Sequence, residues 1–271
     1  MTPRKSLGQN FLVEPGAPAR IVEQAGLDAG ATVLEVGAGL GTLTAALAKR
    51  ASSVIAVETD PHFLPILEQV LSPFDNVRIV PGDILKLNPT DLLGVQSSAS
   101  SLWGTLLPHY YVVANLPYYI TAAVMRHLLE APVRPARMTL TMQREVAMRI
   151  TAAPGDMSLL AVAVQFYGKP RIGLRLKRGA FYPPPQVESA VVCLDLYAEP
   201  PIPVSDVARF FETVRAGFSQ RRKQLHNTLS SGLNLPGAAI TAALAAKGID
   251  STRRAETLTL AEWGLVTDAL A

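Results

Sequence analysis

The chain is poor in the groups that build redox and metal chemistry. Cys193 is its only cysteine among 271 residues, so no intramolecular disulfide can form and no cysteine-based zinc site can be assembled. It lies in an apolar, strand-like run and reads as a small buried hydrophobe. His62, His109, His127 and His226 stand without metal-ligand spacing, so no metal is expected. Charged residues are few, 17%, against 49% hydrophobic. That balance excludes a disordered chain and suffices for one large core plus a small second domain. No apolar run reaches the ~20 residues of a membrane-spanning helix, and the amino end lacks the apolar stretch of a secretory signal. The expectation is a soluble cytoplasmic protein of a reducing compartment, with no membrane partner. Net charge is only +3, weak evidence for a polyanionic partner. Its distribution says more. Arg171, Arg175, Lys177 and Arg178 crowd one segment, and Arg215, Arg221, Arg222 and Lys223 another. Clustered cations suit a phosphate backbone, although either cluster could equally be a solvated face.

Buried-strand patterns at 32–36, 53–57, 77–80, 111–114 and 137–142 alternate with helical patterns at 18–25, 42–50 and the stretch that opens on Asp60-Pro61. Such alternation predicts an α/β fold with a doubly wound, mostly parallel sheet. Further strands are expected at 171–176 and 190–196, and a helix around Glu145 and Arg149. A Pro-rich stretch at 198–205 is the expected boundary between a sheet domain of residues 1–197 and a small helical domain of residues 206–271. Helices are expected there at 207–217, 222–231, 236–247 and 260–270. The first dozen residues form a polar arm, and Gln96 to Ser101 is a Ser-rich surface loop.

Four strand ends carry polar signals, and in open α/β sheets ligands bind at strand carboxyl ends. Glu35-Val36-Gly37-Ala38-Gly39-Leu40-Gly41-Thr42 is a strand-to-helix glycine loop in which Gly37 and Gly39 let backbone approach a ligand. Its third glycine comes one residue early for a dinucleotide fingerprint, and an acid precedes the first. That spelling favours S-adenosylmethionine over NAD. Glu58, ending the second strand, can accept from ribose hydroxyls. Asp83, ending the third, can accept from the adenine amine of the cofactor. A lone Glu or Asp at such a place is more often a helix cap or turn residue. Here the fourth strand ends in Asn115-Leu116-Pro117-Tyr118. The Asn115 side-chain carbonyl and the Leu116 backbone carbonyl can both accept from one amino group. Pro117 stiffens the turn, and Tyr118 offers a face for a base. This arrangement would hold an exocyclic adenine amine against a methyl donor.

With these residues in place the chain resembles the small-subunit ribosomal RNA adenine dimethyltransferases over nearly its whole length. Lys5 to Leu12 is similar to that family's amino-terminal motif. Glu35 to Thr42, Glu58, Gly82-Asp83 and Asn115 to Tyr118 are similar to its methyltransferase motifs in order. Phe181 to Ser189 is similar to its substrate-side loop, and Phe218 to Lys223 to the signature of its small helical domain. The resemblance implies dimethylation of the amino groups of two adjacent adenosines near the 3′ end of small-subunit (16S) RNA, with S-adenosylmethionine as donor. Small-subunit RNA within an immature 30S-type particle would be the partner, and the chain would act as a monomer. It further implies that Asn10 and Leu12 close over the cofactor and that Gly37 meets its methionine end. Tyr118 and Phe181 would sandwich the target adenine, while Arg221, Arg222 and Lys223 would contact RNA. The chain departs from the family pattern in a longer span between Asp83 and Asn115, in the 157–160 region, and at His226, where an Arg is common. Three other readings remain: a methyltransferase of large-subunit RNA, a DNA adenine methyltransferase, and an assembly factor that kept the fold but not the activity. The intact Glu58, Asp83 and Asn115 weigh against the last, and Leu116 against the second.

Overall fold

The structure is a computed structural model that describes residues 9–95 and 105–271. Its elements in chain order are β1 (Phe11–Leu12), α1 (Ala17–Ala25), β2 (Thr32–Val36), α2 (Thr42–Ala48), β3 (Ser53–Glu58), α3 (Leu64–Leu71), β4 (Val77–Pro81), α4 (Pro89–Leu93), β5 (Thr105–Asn115) and α5 (Thr121–Leu129). They continue with β6 (Val133–Gln143), α6 (Arg144–Ile150), α7 (Leu159–Tyr167), β7 (Gly168–Leu176), β8 (Phe181–Tyr182), β9 (Ser189–Leu196), α8 (Val207–Gly217), α9 (Leu225–Leu233), α10 (Gly237–Ala246) and α11 (Leu260–Ala269). The Ser-rich stretch at 96–101 falls outside the described residues.

The chain divides into two compact units, Met1–Ala147 with Lys169–Ala198, and Met148–Gly168 with Glu199–Ala271. The first is built on a seven-stranded sheet of order β4-β3-β2-β5-β6-β9-β7. From β4 to β6 all pairings are parallel, and β9 runs antiparallel to β6. Parallel strands are covered on both faces, so they read as continuous apolar runs, as Val54-Ile55-Ala56-Val57 does. Successive strands step outward from β2 to β4, then restart on the other side of β2 with β5. That reversal between β2 and β5 opens the crevice in which such sheets bind ligands. A separate two-stranded ribbon joins β1 to β8.

The second unit is helical, and it corrects the expected boundary. Residues 148–168, counted from sequence with the sheet, cluster with the helices instead. The cause is α7, whose Phe166 and Tyr167 pack on α8: the Phe166 and Phe210 rings stack at 4.6 Å, and Tyr167 lies parallel to Phe211 at 6.0 Å. An aromatic cluster of this size holds the segment more firmly than its short chain connection to β7 suggests. The Pro-rich stretch is also no free linker. Ile202 is buried, and Gly264 of α11 leaves no Cβ above its Cδ1. Close approach recurs at Gly217, where a Cβ would stand 2.3 Å from the Trp263 ring.

Candidate active site

Strand register alone lines up the site. Ala114 of β5 pairs with Val36 of β2, Val36 with Val57 of β3, and Val57 with Val80 of β4. One residue further along this row stand Asn115, Gly37, Glu58 and Pro81, with Gly82 and Asp83 just beyond. Four polar signals scattered over almost eighty positions of sequence, from Gly37 to Asn115, thus emerge side by side at the switch point. They border a cleft of about 1040 Å³ of empty space, part of it open to solvent, also lined by Gln9, Phe11, Glu35, Phe63, Tyr118 and Tyr119.

The glycine loop uses its amides internally. Gly37 and Ala38 N–H both donate to the Val57 carbonyl, at 2.9 and 3.2 Å, and Gly39 N–H donates to Glu58 Oε2 at 2.8 Å. A phosphate-binding loop points such groups at its ligand; this one does not, which argues against a dinucleotide. Gly37 has φ of +78°, and a Cβ there would project into open space. The loop therefore offers room rather than donors. Glu58, buried, also accepts from Asp60 N–H at 2.8 Å, so each oxygen is pinned by one amide and keeps a further acceptor site. Asp83 caps the following turn by accepting from Leu85 N–H at 3.0 Å and lines the cleft as well. The third acid is Glu35, whose place inside an apolar strand gives no sign of a ligand in the sequence. It is 1% exposed, and burial, with Glu58 nearby, pushes its carboxyl up to about 8 although the Thr44 hydroxyl beside it acts the other way. Three acids and, among the described residues, no basic side chain on the cleft suit a ligand rich in hydroxyls, amines and positive charge. S-adenosylmethionine, with a ribose, an adenine amine, an ammonium and a sulfonium, fits that lining.

The amino-terminal arm crosses this cleft. Gln9 Nε2 donates to Asp60 Oδ2 at 3.1 Å, and Asn115 Nδ2 donates to the Asn10 carbonyl at 3.0 Å. The Phe11 ring meets Phe63 edge-on at 5.2 Å and sits over Gly39, 3.3 Å from where a Cβ would be. Phe11 then pairs with Tyr182 and Leu12 with Phe181. Paired residues of an antiparallel ribbon share a face. Leu12 and Phe181 both point into the apolar core with Ala17, Ile21 and Val191. Leu12 still borders the cleft, whereas Phe181, 3% exposed, does not. The structure therefore does not bring Phe181 to the cleft beside Tyr118, because its ring is packed in the core. Tyr118 does line the cleft. Its hydroxyl lies 2.6 Å from Ser189 Oγ, and burial pushes the phenol up. Leu116 buries its side chain, and the Pro117 carbonyl accepts from Ile120 N–H and closes the turn.

Arg221, Arg222 and Lys223 lie in the turn between α8 and α9, since α9 begins at Leu225 rather than at 222. All three are exposed and, among the described residues, without an ion-pair partner. The sequence reading missed the contacts that depend on the arm, Gln9 with Asp60 and Phe11 with Phe63. Their only signal was the motif Gln9-Asn10-Phe11-Leu12, which shows no partner by itself.

Comparison with known proteins agrees with this geometry. The chain matches the ribosomal RNA adenine dimethylase family over residues 1–271. It is 44% identical to a ribosomal RNA small subunit methyltransferase A of Dehalococcoides mccartyi over 260 residues, 96% of this chain and 86% of that protein. It is also 44% identical to the protein of that name from Moorella thermoacetica, over 100% of this chain and 93% of the other. Among solved structures, the 23S rRNA methyltransferase ErmE superposes with a TM-score of 0.74 at 28% identity, covering 96% of this chain and 99% of that one. A dimethyladenosine transferase from Plasmodium falciparum shares the fold, with a TM-score of 0.77 at 21% identity over 94% and 95% of the two chains. With its acids, its glycine loop and Asn115 in one row, the chain belongs to the ribosomal RNA adenine dimethylase family.

Proposed function

We propose that this protein dimethylates the N6 amino groups of two adjacent adenosines near the 3′ end of small-subunit ribosomal RNA, with S-adenosylmethionine as methyl donor. The observation that carries the reading is the register row that sets Asn115 beside Gly37 and Glu58 at the switch point. Glu58 would hold the ribose, Asp83 the adenine amine, and Gly37 would give room to the methionine end. When bound, the cofactor supplies an electrophilic methyl group on a positively charged sulfur. The Asn115 Oδ1 and the Leu116 carbonyl would accept from the target amine and favour a tetrahedral nitrogen whose lone pair points at that methyl. Orientation and fixed dipoles then account for most of the acceleration. No strong general base is needed, because an alkylated amine cation loses its proton readily. The base must leave its stack to enter the cleft, and stacking on Tyr118 offsets part of that cost. Arg221, Arg222 and Lys223 would contact RNA phosphates, giving salt-sensitive binding through counterion release. The acting form would be a cytoplasmic monomer working on an immature 30S-type particle.

The test is to incubate the protein with labelled S-adenosylmethionine and immature small subunits, then to identify the modified nucleoside and its positions. Dimethyladenosine at two adjacent positions is the expected product. Label in large-subunit RNA instead would transfer the protein to the specificity named for ErmE. Particle binding without label would leave only an assembly role.

A further inference from the structure

The bond between the arm and Asn115 has a chemical direction. A backbone carbonyl can only accept, so the amide of Asn115 must turn its NH₂ toward the Asn10 carbonyl. Its Oδ1 is thereby turned the other way. The terminal torsion of an Asn side chain is otherwise broad and nearly two-fold. Unheld, the amide could present its NH₂ to the target, and a donor facing an amine N–H is repulsive. The Asn10 carbonyl is in turn held by the rest of the arm. Gln9 is tied to Asp60, Phe11 is wedged on Phe63 and Gly39, and Val13 and Glu14 N–H both donate to the Ala180 carbonyl, at 2.8 and 3.2 Å. Asp60 N–H donates to Glu58, so a connected path runs from the ribose-side acid through Asp60, Gln9 and Asn10 to Asn115.

We propose that residues 9–12 are a positioning element for the methyl acceptor, in which the Asn10 carbonyl locks the Asn115 amide with its Oδ1 free to accept from the target amine. The arm then does more than cover the cofactor. It makes the orientation of the acceptor site depend on the same segment that closes the donor site. This proposal rests on the role of Asn115 given above, and its test is arranged so that the two can fail separately.

Val13→Pro removes one of the two amides that anchor the arm, at a residue that does not line the cleft. The measurements are turnover at saturating S-adenosylmethionine and immature subunits, the dissociation constant for S-adenosylhomocysteine, and the side-chain amide NMR signal of Asn115, identified by its loss in Asn115→Ala. The expected result is a shifted amide signal with a kcat loss of about tenfold that saturating cofactor does not restore. A segment that only covered the cofactor would instead weaken S-adenosylhomocysteine and regain full kcat at saturation, and that result overturns the proposal. If Val13→Pro leaves the amide signal in place, a chain lacking residues 2–12 removes the acceptor outright. Wild-type kcat in that folded variant overturns the proposal equally. Full turnover in Asn115→Ala would show that the underlying role of Asn115 is wrong, a result distinct from either of these.

Discussion

Two glutamates, one in each unit, are held in opposite protonation states. Glu35 is buried at the carboxyl end of β2, beside Glu58, and its carboxyl sits near 8. Glu262 lies in the first turn of α11, where the Arg253 guanidinium and Thr259 N–H both donate to its carboxylate and hold it down to about 2. Its own N–H donates to Thr259 Oγ1, completing a capping box. Glu262 is satisfied by the protein and serves the helix. Glu35 costs stability whenever it ionises, and it borders the cleft. Strongly shifted carboxyls of this kind cluster at functional sites. The sheet unit therefore holds a shifted carboxyl at its cleft, whereas the helical unit holds its glutamate in a capping box and packs its interior with aromatic rings.

The largest effect that could break this contrast is at Asn115. Asn115→Ala should lower kcat by about a hundredfold or more while leaving the melting temperature nearly unchanged. Equal initial rates at saturating substrate would place Asn115 among the structural groups instead. Next comes the packing of the helical unit. Gly217→Ala puts a methyl group into the Trp263 ring and should cost about 1–3 kcal/mol in urea unfolding. A neutral result would mean that α8 and α11 are loosely packed.

Charge reversal at Arg221 and Arg222 should weaken RNA binding about tenfold at low salt and flatten its salt dependence. Unchanged affinity would remove the turn between α8 and α9 from the RNA surface. The two glutamates themselves give the smallest and sharpest test, because their pH dependences have opposite sign. Glu35 has a raised pKa, so the folded protein holds a proton that the unfolded chain has lost between about 4.5 and 8. Its stabilising effect is complete at low pH and is lost as pH rises through that window. Glu35→Gln should abolish the slope, raising the melting temperature over wild type by on the order of 5 °C at pH 8 and by little at pH 5. Glu262 has a depressed pKa, so its contribution is lost as pH falls from about 4.5 toward about 2. Glu262→Gln should therefore matter at neutral pH and not near pH 2, by a small amount because the pair is largely solvated. Thermal scans of both variants across pH would show whether the two slopes do oppose.

Much of this is legible in the sequence. β2 runs over 32–36 and α8 over 207–217, as their patterns predict, because buried strands and amphipathic helices write their periods locally. The sequence also displayed the glycine loop, Glu58, Asp83 and Asn115, since each follows directly on a strand that can be recognised by itself. Helices α5 and α7 were not read as helices. In α7 nearly every residue is apolar, so no polar face marks a period.

What the sequence determined by itself was therefore the set of elements and the chemistry at their ends, because both depend on neighbours within a few residues. Tertiary structure alone decided which groups face each other. Strand register placed Asn115 beside Gly37. The pairing of β1 with β8 turned Phe181 into the core although its motif suggested a base-stacking face. The arm's bond to Asn115 joins residues 105 positions apart. Such facings depend on non-local pairing and on the competition for buried apolar surface, and no local pattern in the chain records the outcome of either.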